Sequence, residues 1–184
     1  MTQLKENPKT LQIDELVNTF ELRTLYRSIF EAHPWHEEME CTGCESTYAR
    51  LENLYGCDCL KINDKLYAIK DGNCEVCNED ISQSLVPMWP DNVVDEEIRA
   101  DQGKKGYFSQ QGNLDGKVAS FIWGYDLPKI NESGKKFEEI SERLKNIDIN
   151  PEKCFYHSEL GVSPDYQKKG IGTKMLKSLV EYTK

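Results

Sequence analysis

The chain has 184 residues, 38% of them apolar and 30% charged, and its formal net charge is −9. That length suffices for one well-formed core with a small appended module, and the composition lies outside the disordered range. An acidic surface argues against nucleic acid as the main partner, because phosphate neutralisation needs a basic face, and it favours a cationic partner such as an amine.

The opening MTQLKENPKT lacks the apolar segment of a signal peptide, and no run approaches the length of a membrane span. The expectation is a cytoplasmic protein with no membrane segment. Seven cysteines are present, six of them between Cys41 and Cys77. Without a secretion signal, such clustering points to reduced thiols and metal binding rather than to disulfides.

In chain order, Leu16, Val17, Phe20, Leu25, Tyr26, Ile29 and Phe30 recur at helical spacing, so the pattern predicts an amphipathic helix from Asp14, as N-cap, to Phe30. Leu11 and Ile13 fit a short strand before it. Pro34 ends the helical pattern, disfavouring helical geometry at His33. The cysteine-rich stretch that follows is poor in apolar residues and cannot fold by burial alone. Within it, Cys41-x-x-Cys44 and Cys74-x-x-Cys77 are two knuckles with a long spacer, the arrangement of a four-cysteine zinc ribbon. With no ligand position left for water, the expected zinc is structural. Cys57 and Cys59 are assigned as spares, and free thiols without metal are the alternative.

Beyond the loop VPMWPDN, Asp91 is placed to cap a helix through Val93, Val94 and Ile98. GYFSQQ and KVASFIWGYDL form a hairpin pattern around the turn-rich GNLDG. Phe137, Ile140, Leu144 and Ile147 share one helical stripe. CFYHSELGV reads as a strand and GIGTKMLKSLVEYTK as a helix. The whole is an α/β (α+β) pattern, expected to be a single domain over 1–184 with a zinc-ribbon-like insertion at 41–80.

The turn SPDYQKKGIG, between that strand and helix, has the makings of an anion site. A helix start offers unpaired N–H groups and the positive end of its dipole. Gly170 and Gly172 remove side chains that would hold an anion off. Lys168 and Lys169 add charge, while Gln167 and Thr173 add hydrogen-bonding groups. A pyrophosphate-like anion fits this arrangement, and a plain glycine turn capping a surface helix is the alternative. Neither the dinucleotide fingerprint nor the P-loop pattern is present.

The string Gln167-Lys168-Lys169-Gly170-Ile171-Gly172 matches the Q/R-x-x-G-x-G/A signature of the GNAT acyl-CoA N-acyltransferase superfamily. ELGVSPDYQKKGIGTKML resembles the segment joining the fourth strand to the third helix of those enzymes, and GKVASFIWGYDL resembles their third strand. The resemblance implies a GNAT-like fold, a mixed and mostly antiparallel sheet with flanking helices, and an N-acetyltransferase using acetyl-CoA. It implies backbone contacts from Leu160 and Val162 to pantetheine, with Gln167, Lys168, Gly170, Gly172 and Thr173 around the diphosphate. An N–H near Val162 would face the oxyanion.

On this plan Glu159 is the candidate base that takes a proton from the amine, its alternative being a solvated strand carboxylate. Under strict alternation His157 shares its face and Tyr156 does not. Cys154 reads as a small buried thiol. Trp35, His36 and Glu37 would wall the acceptor site, or Trp35 would anchor its loop in the core. The acceptor is expected to be a small-molecule or peptide amine. Some GNAT-like proteins carry a four-cysteine insert after this loop.

GNAT enzymes continue past their third helix, whereas this sequence ends there. The expectation is therefore a fragment of a longer protein, or a shortened relative that completes its sheet in another way, for example as a homodimer. A non-catalytic acyl-CoA-binding or zinc-ribbon interaction module is the alternative to the enzyme.

Overall fold

The structure, a computed structural model, describes residues 10–31, 35, 37, 39–48, 59–62, 65–68, 73–74, 76–129 and 134–184. In chain order the elements are β1 (Gln12–Asp14), α1 (Phe20–Phe30), β2 (Met39–Cys41), β3 (Thr47–Tyr48), β4 (Cys59–Ile62), β5 (Lys65–Ala68), α2 (Ile81–Ser84), β6 (Leu85–Pro87) and α3 (Asp91–Gln102). They continue with β7 (Phe108–Leu114), β8 (Lys117–Asp126), α4 (Lys135–Lys145), β9 (Phe155–Val162) and α5 (Ile171–Tyr182). The chain divides into two units, residues 1–25 with 96–184 and residues 26–95. Among the described residues no helix is long and apolar enough to cross a membrane.

The larger unit holds an antiparallel sheet in the order β1-β7-β8-β9. β7 and β8 meet at Asp115 and Gly116, both at positive φ (53° and 74°), a two-residue turn whose twist suits a hairpin. β7 thus runs on through Gly112, Asn113 and Leu114, which the sequence pattern gave to the turn. One face of the sheet packs on α5: Leu114, Ala119, Ile122, Ile171, Met175 and Leu179 form one buried cluster, with Phe155, Leu160 and Val162 packed against it. Each large aliphatic side chain buried there stabilises the fold by about 1.5–3 kcal/mol.

α1 begins five residues later than its apolar spacing implies. Ile13 and Asp14 belong to β1, where Asp14 pairs with Gln111 and its carboxylate accepts from Asn113 Nδ2 at 2.9 Å. The helix is capped instead by Thr19, whose Oγ1 accepts the Leu22 N–H at 3.2 Å. Strand pairing outcompeted the local cap.

The smaller unit contains the sheet β3-β2-β6 and the pair β4-β5. Tyr26, Phe30 and Trp89 form an aromatic cluster with centroids 4.5–5.7 Å apart. Arg27 pairs with Asp91 at 2.9 Å near the surface.

Candidate functional site

β9 is an edge strand, with β8 on one side and no strand on the other among the described residues. Ser163 N–H donates to the Ala119 carbonyl at 2.9 Å. Peptide groups alternate sides along a strand, so those of Leu160 and Val162 lie on the open edge. The Val162 carbonyl accepts Gln167 Nε2 at 3.2 Å.

A short turn of 3-10 helix at Pro164–Tyr166 leads into α5. Gly170, at φ 77° and ψ 8°, is the N-cap and offers no side-chain cap. A side chain there would meet open space, so glycine is needed for its backbone conformation rather than for room. The first-turn N–H groups of Ile171, Gly172 and Thr173 precede any intrahelical donor, the first of which is Lys174 N–H to Gly170 O at 3.1 Å. Gly172 sits against β9, its absent Cβ 3.6 Å from Val162 Cγ2. Lys168 and Thr173 are exposed. Lys169, in contrast, donates to the Asp165 carbonyl at 2.8 Å and lies over the Tyr166 ring.

The face of β9 away from α5 departs from strict alternation. Trp123 pairs with Glu159 and Gly124 with His157, which leaves Ser158 as an extra residue, a β-bulge. Phe155 and Leu160, five residues apart, consequently both pack toward α5. The expectation that His157 shares the face of Glu159 is overturned. His157 lines a 560 Å³ cavity with Phe155, Leu179 and Tyr182 on the α5 side, while Glu159 lies on the face of Trp123. Burial lowers His157, and a backbone hydrogen bond with Glu159 opposes this.

The bulge also brings together residues with no sequence signal. Asp101 Oδ2, at the end of α3, accepts from Trp123 Nε1 at 3.0 Å and from Ser158 Oγ at 2.8 Å. Burial, reinforced by the Asp101 charge, pushes the buried Tyr125 hydroxyl well above its ordinary range, against a hydrogen bond with Ser158. Tyr107 is raised by burial too, with the Asp101 charge adding to the rise.

The sequence model of the Acetyltransferase (GNAT) family matches residues 74–184, more than half of the chain. The chain belongs to the GNAT acetyltransferase family. A solved structure similar to this GNAT chain is the ribosomal-protein-S18-alanine N-acetyltransferase from Escherichia coli, at 14% identity and a TM-score of 0.40. The match covers 95% of the GNAT chain and 59% of that one. No curated protein sequence matches.

In the smaller unit of this GNAT protein, the four knuckle cysteines converge. The Sγ atoms of Cys41, Cys44, Cys74 and Cys77 all lie within 4.8 Å of one another, with Cys41–Cys77 at 3.6 Å and Cys44–Cys74 at 3.8 Å. Zinc–sulfur bonds of about 2.3 Å in a tetrahedron put sulfurs about 3.8 Å apart, so the set fits that ion. The two knuckles are built alike. Glu45 N–H donates to Cys41 O at 2.8 Å and Asn78 N–H to Cys74 O at 2.7 Å, and Glu45 and Asn78 both take positive φ. Gly43 lies so close to Glu79 Cγ and Cys77 Sγ, 2.7 and 3.1 Å from where a Cβ would stand, that a side chain would collide. The Glu79 backbone lowers the Cys77 thiol, but desolvation and hydrogen bonds among the four sulfurs outweigh it and push the thiol up to about 12.

Cys57, His33, Pro34 and His36 lie outside the described residues, as does the side chain of Cys59. Trp35 is 56% exposed, with its ring 6.0 Å from that of Phe30, so it is not a buried anchor. Glu37 is raised by burial. Cys154 is half-buried and donates to the Asn150 carbonyl at 3.4 Å.

Proposed function

We propose that this GNAT protein is an N-acetyltransferase that binds acetyl-CoA at the β9–α5 turn and transfers the acetyl group directly to an amine. The observation that carries this reading is the turn itself, where Gly170 opens α5 in a left-handed conformation with no side-chain cap, beside the edge of β9 that pairs with no strand among the described residues. Those amides, with Lys168, Gln167 and Thr173, suit the diphosphate. The outward peptide groups of Leu160 and Val162 suit the pantetheine arm, and an N–H on that edge suits the oxyanion. The attacking amine must be neutral. Glu159 takes its proton, the nitrogen bonds to the acetyl carbon, the carbon–sulfur bond breaks, and the thiolate leaves to be protonated. Cys41, Cys44, Cys74 and Cys77 hold a structural zinc that replaces the core the knuckles lack.

The test is thiol release from acetyl-CoA by the full-length protein over a panel of amines. Transfer should fall about 100-fold on Glu159→Gln with acetyl-CoA binding retained. Binding without transfer to any amine would instead favour a non-catalytic acyl-CoA-binding module.

A further inference from the structure

At the far end of β9 from the Gly170 turn lies a cavity of 390 Å³, within the range of about 300–1,000 Å³ that small-molecule sites span. Its walls come from α4, from the exit of β8 and from the lead into β9. Leu127 and Ser141 are buried there, whereas Lys145 and Glu152 are exposed, so the cavity has a closed floor and a charged rim. Ser141 is 1% exposed, yet its Oγ has no hydrogen-bond partner among the described residues. A buried hydroxyl left unpaired costs free energy, and such groups are uncommon in folded proteins.

The charges on the rim are a second unmet requirement. Lys145 and Glu152 line the same cavity, with Lys129 as a further ammonium group. Neither Lys145 nor Glu152 forms an ion pair among the described residues, with each other or with any third group. Opposite charges that share a cavity without meeting leave room between them for a molecule carrying both signs. Water would satisfy the Ser141 hydroxyl but would not join the two charges. A simple anion would face the Glu152 carboxylate, and a simple cation would face two ammonium groups. The rim is also held in shape: the Glu152 N–H donates to Asn150 Oδ1 at 3.0 Å, and the Pro151 ring fixes its own φ.

We propose that this cavity binds a free α-amino acid with an apolar side chain. Its carboxylate accepts from Ser141 Oγ and the Lys145 ammonium, its ammonium donates to Glu152, and its side chain lies on Leu127, Pro128 and Pro151. The cavity and the Gly170 turn stand at opposite ends of β9, whose 8 residues span about 26 Å. The amino acid is therefore a ligand of this site and not the acetyl acceptor, and the inference stands whether or not the protein binds acetyl-CoA.

The experiment titrates the full-length protein with L-leucine by calorimetry, without acetyl-CoA. One molecule should bind per chain. The analogue 4-methylpentanoate lacks the ammonium and 3-methylbutylamine lacks the carboxylate, and each should bind at least about tenfold more weakly. Lys145→Met and Glu152→Gln should each weaken L-leucine about tenfold, and both positions are exposed, so neither change disturbs the fold. Ser141→Ala gives a readout that a structural role would not. Leucine binding should fall about fivefold while urea unfolding shows no loss of stability, since the hydroxyl has no bond to lose among the described residues. No binding at millimolar L-leucine overturns the proposal. So does equal binding of either analogue, which would make the cavity a plain anion or cation site, or an affinity unchanged in both rim variants.

Discussion

The β9–α5 region and the cysteine knuckles solve the same problem, holding a chain reversal in one conformation, by opposite means. Around α5 the work is done by apolar burial: Met175 and Ile122 are fully buried, and Ile171 and Leu179 nearly so. Around the knuckles the fully buried side chains of the local cluster are Cys41 and Cys74, with Met39 and Leu85 packed beside them. One region is fixed by a core that exists without a ligand. In the other, four sulfurs converge where little apolar surface is available. The lesson concerns dependence: the first region should respond to cavities and caps, the second to its four thiols and to any ion they hold.

The largest expected effect is on the knuckles. Elemental analysis should find one zinc per wild-type chain and none in Cys74→Ser, which should also abolish amide-exchange protection in β2 and β6, since structural zinc contributes apparent folding energies of about 10–16 kcal/mol in small zinc-binding peptides. The β7–β8 hairpin should stay protected. Zinc-free protein with unchanged protection in β2 would break the comparison. Next comes Met175→Ala, expected to cost about 2–5 kcal/mol in urea unfolding of the larger unit through the cavity it leaves, with zinc content unchanged. A loss of zinc in that variant would mean the two regions are not separately held. The smallest effect is Thr19→Ala, which removes the cap on the Leu22 N–H and should cost about 1 kcal/mol in the same measurement. No change there would return the cap to another residue.

Much of this was legible in the sequence because it is local. The Gln167–Gly172 string sits at the turn it implied, and the spacing of the two knuckles brought four sulfurs together. What was not legible depends on pairing between distant segments. The apolar run after Asp14 looks helical from its first residue, yet β1 pairs with β7 almost a hundred residues later and delays the helix to Phe20. Strict alternation along CFYHSELGV is the reasonable expectation, yet the partner strand β8 imposes a bulge at Ser158 and sends His157 and Glu159 to opposite faces. Asp101 escaped for the same reason. It stands 57 residues from Ser158, and nothing in its surrounding ADQGKK marks it. Lys169 looked like a second diphosphate cation until its ammonium was found on the Asp165 carbonyl.

The central claim is that the Gly170 turn grips acetyl-CoA, and calorimetric titration of the full-length protein with acetyl-CoA tests it most directly. The account predicts one molecule bound per chain. It also predicts at least tenfold weaker binding for Gly170→Val, because a β-branched residue at φ 77° costs about 1–3 kcal/mol and displaces the first-turn amides. Zinc content should be unaffected. No binding up to millimolar acetyl-CoA, or equal affinity in wild type and Gly170→Val, would contradict it.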